Sequence, residues 1–326
     1  MGRGRVAMGR LMRIGAIFPG QGSQRLGMGG SLATASPEVA DLFARARALL
    51  GYDLAEVLER GPGERLRETH VSQPAIFVVN YALAVLRPPA LEIVVTAGHS
   101  FAEFCSLTLA GSFGFEAALR LVIERGAAMH DAATRVPGAM FAVLGLGETQ
   151  LRAAVARARA DGGVVQLANF NSPAQIVISG EAAAVARAGA YAREAGAKKV
   201  VPLGVTGAWH SELMRPARER FEVALAEVAI ALPRVPVISN VDGEPYTDVE
   251  TIRRNLGRSV TDEVRWHRTS ERLLAASPDA LVEFGGSAVL APLAKRLPGA
   301  PRAVFAGDPA AVAGLAAELA AEVAAG

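Results

Sequence analysis

The stretch VVTAGHSFAEF, residues Val94 to Phe104, decides how the chain is read. Leu91 to Thr96 is a run dominated by β-branched residues and predicts a strand, whereas SFAEFCSLTLAG has apolar residues at helical spacing. Ser100 therefore stands on a strand-to-helix turn, the context in which a Gly-x-Ser-x-Gly nucleophile elbow projects its hydroxyl. Gly98 and Ser100 fit that motif, and Ala102 takes the place of the second glycine. Alanine adds one methyl and adopts helical dihedrals freely, so the departure leaves the Phe101 amide available to an oxyanion. From these residues alone, Ser100 is either a nucleophile or an ordinary serine in a turn.

Outward from the elbow, the pattern alternates strands and helices. Ile14 to Phe18 is a short apolar strand that breaks at Pro19-Gly20 into a loop. Leu42, Ala46 and Leu49 recur at helical spacing, and SQPAIFVVNYALAVLR is a second helix ending at Pro88-Pro89. The rhythm then changes. GAMFAVLGL, ETQLRAAVARARA, VVQLANF, QIVISG, EAAAVARAGAYAREAG and KKVVPLGV read strand, helix, strand, strand, helix, strand. This βαββαβ order is the ferredoxin-like arrangement and reads as a compact insertion over residues 138–205. Beyond it, VPVISN, ALVEF and AVFAG are expected strands, and Asp308 with Pro309 opens a last helix as N-cap and first residue. The fold class is α/β. A large subdomain is expected over 13–137 and 206–326, and a disordered basic tail over 1–12, which has no apolar stretch of the signal-peptide kind.

Composition narrows the function. The 326 residues, 51% hydrophobic, suffice for a large core. Thirty-four basic against 32 acidic residues leave a net charge of +2, too small and dispersed for a nucleic-acid surface. Cys105 is the only cysteine, which excludes an intramolecular disulfide and fits a cytoplasmic location. No apolar run is long enough to span a bilayer, so no membrane partner is expected. Gly20-Gln21-Gly22 after a strand is no dinucleotide loop, because Arg25 takes the third glycine position.

A serine nucleophile needs a base, and the chain has five histidines. His99 is adjacent to the serine and its side chain should diverge into a structural hydrogen bond. His130 reads as a helix-surface residue, and His70 and His267 as residues of polar, loop-like surroundings. His210, in VTGAWHSELMRP between a strand and a helix, is the best placed base.

FPGQGSQ, SQPAIF, GHSFAE, ERGAAM, NFNSPAQIVISG, GAWHS and PVISNVDGEPY, in this order, make the chain resemble malonyl-CoA:acyl carrier protein transacylases and the acyltransferases of polyketide synthases, over nearly everything from Arg13 onward. The resemblance implies an α/β-hydrolase-like large subdomain carrying the ferredoxin-like insertion. It implies Ser100 as acylated nucleophile and His210 as general base, with the imidazole oriented by a backbone carbonyl, that of Ser259. It implies an oxyanion hole from the backbone amides of Gln21 and Phe101, and Arg125 as the grip on the malonyl carboxylate. Met129, Trp209, Phe101, Asn169 and Asn171 complete the implied substrate site. Phe101 and Trp209 fall on the malonyl-selective side of the family. The implied substrates are malonyl-CoA and an acyl carrier protein, with no metal or redox cofactor; an acidic carrier would dock near the cleft mouth, where the basic residues Lys198, Lys199 and Arg215 are candidates for contact. Ala102, Trp209 and the EFGGSAVL stretch, which lacks the usual Gly-Pro-Gly turn, depart from the family pattern and suggest a pathway-associated member. A carrier-to-carrier shuttle, an editing acyl hydrolase and an inactive docking partner are the alternative readings.

Overall fold

The computed structural model describes residues 11–205 and 207–323. The chain opens with strand β1 (Met12–Phe18), then helices α1 (Pro37–Leu50), α2 (Leu54–Arg60) and α3 (Thr69–Val85). Strand β2 (Leu91–Gly98) leads through the elbow into α4 (Glu103–Leu109) and the long α5 (Phe115–Arg135). A second set follows: β3 (Gly138–Leu144), α6 (Glu148–Ala160), β4 (Val165–Ser172), β5 (Gln175–Glu181), α7 (Ala182–Glu194) and β6 (Lys199–Pro202). The chain then supplies α8 (Arg215–Ala226), α9 (Val249–Arg258), α10 (Trp266–Ala275), β7 (Ala280–Phe284), α11 (Ala291–Ala294), β8 (Arg302–Ala306) and α12 (Pro309–Val323).

These strands form two sheets. The first runs β2-β1-β7-β8, parallel throughout, and the second runs β4-β5-β3-β6, antiparallel throughout. The second order, with its two helices, is the ferredoxin-like topology expected of the insertion. Parallel strands are covered on both faces, which is why β1 is buried from Ile14 to Phe18 and β7 along its whole length. Even Glu283 of β7 is buried, its carboxylate accepting the N–H groups of Val289, Leu290 and Ala291 at the start of α11. The small sheet has its own apolar core, from Val143, Leu151, Val165, Ile178 and Val185 among others.

Four expectations need correction. VPVISN is not a strand of the large sheet: it touches β2 only through an isolated bridge between Thr96 and Val237, with Pro236 accepting from the Thr96 N–H at 2.9 Å. Pro233 and Pro236 carry no N–H and so cannot extend the ladder. Helix α3 begins at Thr69, three residues before the SQPAIF stretch, so His70 is helical, its ring 4.4 Å from that of His130; His267 likewise lies on α10. The basic tail cannot extend to residue 12, because Met12 opens β1; residues 1–10 lie outside the described residues. Among the described residues no helix is long and apolar enough to cross a membrane.

The two sheets are stitched together beside the elbow. Val264, just before α10, donates its N–H to the Ala168 carbonyl and accepts from Phe170, both at 2.8 Å. The strand irregularities between Leu167 and Asn169 and between Phe170 and Ser172 free β4 for this second partner.

Candidate active site

Strands β1 and β2 are parallel neighbours, so the loop after β1 and the elbow after β2 emerge side by side at the carboxyl ends, where α/β sheets place their sites. The elbow is tight. A Cβ on Gly98 would lie 2.0 Å from the Ala102 carbonyl oxygen, so the first motif position admits only glycine. Ala102 has φ −65° and a fully buried methyl, so the second position accepts alanine as the sequence reading anticipates.

Ser100 is held at φ 57° and His210 also at φ 57°, two of only three non-glycine residues with positive φ among those described. Such conformations cost about 1–3 kcal/mol each and persist only where surroundings enforce them. Both strained residues meet here. Ser100 Oγ lies 2.8 Å from His210 Nε2, and His210 Nδ1 lies 3.2 Å from the Asp262 carbonyl oxygen. A carbonyl only accepts, so Nδ1 carries the proton and Nε2 is left as the acceptor for the serine hydroxyl. Burial, and then the charge of Arg125, push the His210 pKa down to about 3, against hydrogen bonds to the Asp262 and Ser259 carbonyls. The imidazole is thus an unprotonated base at neutral pH. Both carbonyls bear on the ring; the closer-defined contact is that of Asp262, three residues beyond Ser259 and past the end of α9.

His99 diverges from the serine, as expected. Its Nε2 pairs with Asn171 Oδ1 at 3.0 Å and its ring lies 5.5 Å from that of Trp266. Asn171, assigned to substrate by resemblance, thus engages a histidine, and Asn169 is buried where β4 meets Val264. The Gln21 side chain donates to Thr69 Oγ1 at 3.0 Å, anchoring its loop to α3. Among the described residues the Gln21 N–H has no protein acceptor.

Arg125 comes from α5. Its neighbour Gly126 lets α5 approach α3 closely, since a Cβ there would be 3.1 Å from the Thr69 carbonyl oxygen. That approach brings Gln73 within reach: its Oε1 accepts from Arg125 Nη1 at 2.9 Å, and its Nε2 points to Met129 Sδ at 3.5 Å. Arg125 is 1% exposed, yet its Nε and Nη2 have no partner. Two adjacent, unsatisfied donors of a guanidinium form the fork that a carboxylate fills in a two-pronged contact. Burial lowers the Arg125 pKa to about 9, and Glu103 opposes the shift. An incoming carboxylate would meet the same unmet charge. Phe101 packs its ring 6.0 Å from the Arg125 guanidinium carbon, and Trp209 is buried beside His210 with its indole N–H unpartnered.

Three further residues were missed by reading the sequence: Glu103, Asn240 and Tyr246. Glu103 is buried in the first turn of α4, where Tyr246 O–H and both the backbone N–H and side-chain Nδ2 of Asn240 donate to its carboxylate. Burial raises its pKa to about 7, opposed by those hydrogen bonds. All three lie inside stretches quoted for the resemblance, GHSFAE and PVISNVDGEPY, but nothing in a linear pattern says that the two stretches touch.

A strained serine hydrogen-bonded to a carbonyl-oriented histidine, beside a buried arginine with two free donors, is an arrangement suited to acyl transfer through a serine ester. The chain belongs to the acyl transferase domain family, whose pattern matches residues 16–315. It is 40% identical over 303 residues, 91% of this chain and 96% of the relative, to the malonyl CoA-acyl carrier protein transacylase of Escherichia coli K12. Among solved structures it resembles an acyl carrier protein S-malonyltransferase from Vibrio cholerae, with TM-score 0.87 and 40% identity over 93% of this chain and 99% of that one. It also resembles the malonyl-transacylase solved in complex with its type II polyketide-synthase acyl-carrier protein, with TM-score 0.87 and 37% identity over 93% and 98% of the two chains.

Proposed function

We propose that this protein transfers a malonyl group from CoA to the phosphopantetheine thiol of an acyl carrier protein, in fatty-acid or polyketide synthesis, through a Ser100 ester. His210 Nε2 takes the hydroxyl proton as Ser100 Oγ attacks the thioester carbonyl carbon. The N–H groups of Gln21 and Phe101 receive the negative charge that develops on the carbonyl oxygen. The C–S bond then breaks, and the CoA sulfur leaves with the proton from the imidazolium. In the second half His210 takes the carrier thiol's proton, the thiolate attacks the ester carbon, and Ser100 Oγ departs and regains that proton. Ser259 and Asp262 keep the imidazole in the tautomer that both halves require. Each step moves only a proton and an acyl group, so the chemistry calls for no metal or redox cofactor. A cytoplasmic site of action goes with this reading.

The observation that carries the reading is the buried, half-unsatisfied Arg125 fork. A hydrolase or an acetyl-carrying shuttle has no use for it, whereas the free carboxylate of malonyl fills it. Phe101 and Trp209 wall the same pocket and oppose an α-methyl branch, a discrimination worth about 1–3 kcal/mol. Met129 bears on the Arg125 fork through Gln73, Asn171 pairs with His99 next to the nucleophile, and Asn169 joins β4 to Val264 at the edge of the site. Carrier docking falls to the exposed Lys198, Lys199 and Arg215. Arg215 lines a groove of about 680 Å³ that also includes Gln166 and Asp262, both in contact with His210.

Intact-protein mass spectrometry after brief mixing with malonyl-CoA tests the reading. The expected result is a malonyl-sized adduct that requires Ser100 and is discharged by holo-carrier protein. Loss of the adduct in water alone, or no adduct at all, would overturn it.

A further inference from the structure

The elbow's conformation has a support that comes from a different part of the chain. The Asn240 carboxamide lies edge-on to the nucleophile. Its Oδ1 accepts from the Ser100 N–H at 3.2 Å, while its Nδ2 donates to the Gly98 carbonyl at 2.7 Å and approaches the Ser100 carbonyl at 3.4 Å. Backbone groups fix which end is oxygen, because only an acceptor can face an N–H and only a donor a C=O. The carboxamide thus grips both backbone polar groups of Ser100, which sits at φ 57°.

Asn240 is itself held. Its backbone N–H donates to Glu103 Oε2 at 2.8 Å, its Nδ2 reaches the same oxygen, and Tyr246 O–H donates to the other oxygen of Glu103. Asn240 is 0% exposed and Glu103 1% exposed, and neither touches Ser100 Oγ or His210. All the donors converge on one carboxylate, which an apolar core would replace at lower cost if packing were its only purpose. The charge of Asp242 also bears on Glu103, and that of Glu103 bears on Arg125.

We propose that Asn240, locked by Glu103 and Tyr246, is a positioning residue that holds Ser100 in its left-handed conformation and so aims Oγ at His210 Nε2. The inference deepens the reading of Ser100 as nucleophile and rests on it, but not on the identity of the acyl group. Because the clamp acts on the serine and Arg125 stands on another helix, its loss should slow attack and leave substrate affinity in place.

The test uses the full chain and two readouts: the rate of Ser100 sulfonylation by phenylmethanesulfonyl fluoride, and the rate and KM of acylation by malonyl-CoA. Asn240→Ala should slow both reactions by about 30-fold or more with KM within about threefold of wild type. Glu103→Ala should lose about tenfold, and Glu103→Gln, which keeps an acceptor for Asn240 and can donate to the Tyr246 oxygen, should recover most of that loss. Tyr246→Phe, the mildest change, should cost about threefold and serves if Asn240→Ala fails to fold. Wild-type labelling in folded Asn240→Ala or Tyr246→Phe, a KM that rises in step with the lost rate, or Glu103→Gln no better than Glu103→Ala would overturn the proposal. If wild type is labelled by the sulfonyl fluoride but not by malonyl-CoA, the acyl assignment fails while the clamp is still tested.

Discussion

The small antiparallel sheet and the seam beside it are built for opposite ends. Between residues 138 and 205 the only buried polar residues among those described are Asn169 and Ser179, and the core is Val, Ile, Leu and Ala in regular strands and helices. At the seam, within reach of one another, lie two non-glycine residues at positive φ, a buried glutamate, a buried arginine with two idle donors and a buried histidine. The first region spends its residues on stability. The second concentrates backbone strain and unpartnered buried polar atoms around Ser100, His210 and Arg125. Regularity elsewhere is what allows irregularity here.

This contrast can be broken experimentally at either end. The largest effect should be His210→Ala, which leaves Ser100 without a base: the acylation rate should fall by about 10³-fold or more, measured by rapid-quench mass spectrometry. Arg125→Lys should reduce kcat/KM for malonyl-CoA by about 10²-fold, since one ammonium cannot replace the fork or keep Gln73 at 2.9 Å. In the small sheet, Ile178→Ala should cost about 2–5 kcal/mol of unfolding free energy in denaturant titrations, with KM for malonyl-CoA unchanged. An Ile178→Ala variant that keeps its stability but loses substrate affinity would erase the division between the two regions.

The pH dependence sharpens it further. Burial and Arg125 lower the His210 pKa to about 3, so the free base is already formed throughout pH 5 to 8. Acylation rate should therefore stay level as pH falls from 8 to 5, where an ordinary histidine would lose most of its base form. The unfolded chain binds a proton at this residue between its usual pKa and 3 and the folded chain does not, so this group's contribution to stability declines as pH falls through that window. An acid limb near 6.5 in the acylation rate that persists in Glu103→Gln, and so does not come from the Glu103 carboxyl at about 7, would show that the imidazole is less shielded than its burial implies. Smallest of all, Ala102→Gly should change the acylation rate by less than about threefold, because the methyl is already accommodated in the core.

The sequence was most legible where local chemistry and local structure coincide. The βαββαβ rhythm predicts the small sheet nearly strand for strand, and a serine between a β-branched run and a helical one predicts the elbow. It was less legible where prolines interrupt a ladder, as at VPVISN, and where a helix starts without a side-chain cap hydrogen bond, as at Thr69. The partners that complete the site come from stretches far apart: Gln73 on Arg125, Asp262 on His210, Asn240 on Ser100. Each residue is unremarkable alone and acquires its part only when the sheet order brings carboxyl ends together. Resemblance supplied Ser259 for the histidine, and only the geometry added Asp262.

The central claim is that the idle donors of Arg125 exist to receive a carboxylate. It is tested most directly by the ratio of kcat/KM for malonyl-CoA to that for acetyl-CoA, in wild type and in Arg125→Ala. The account predicts that wild type strongly prefers malonyl-CoA and that the substitution lowers the ratio by about 10²-fold or more, with acetyl transfer held or raised. A ratio that survives the loss of Arg125 would contradict it, and the buried fork would need another purpose.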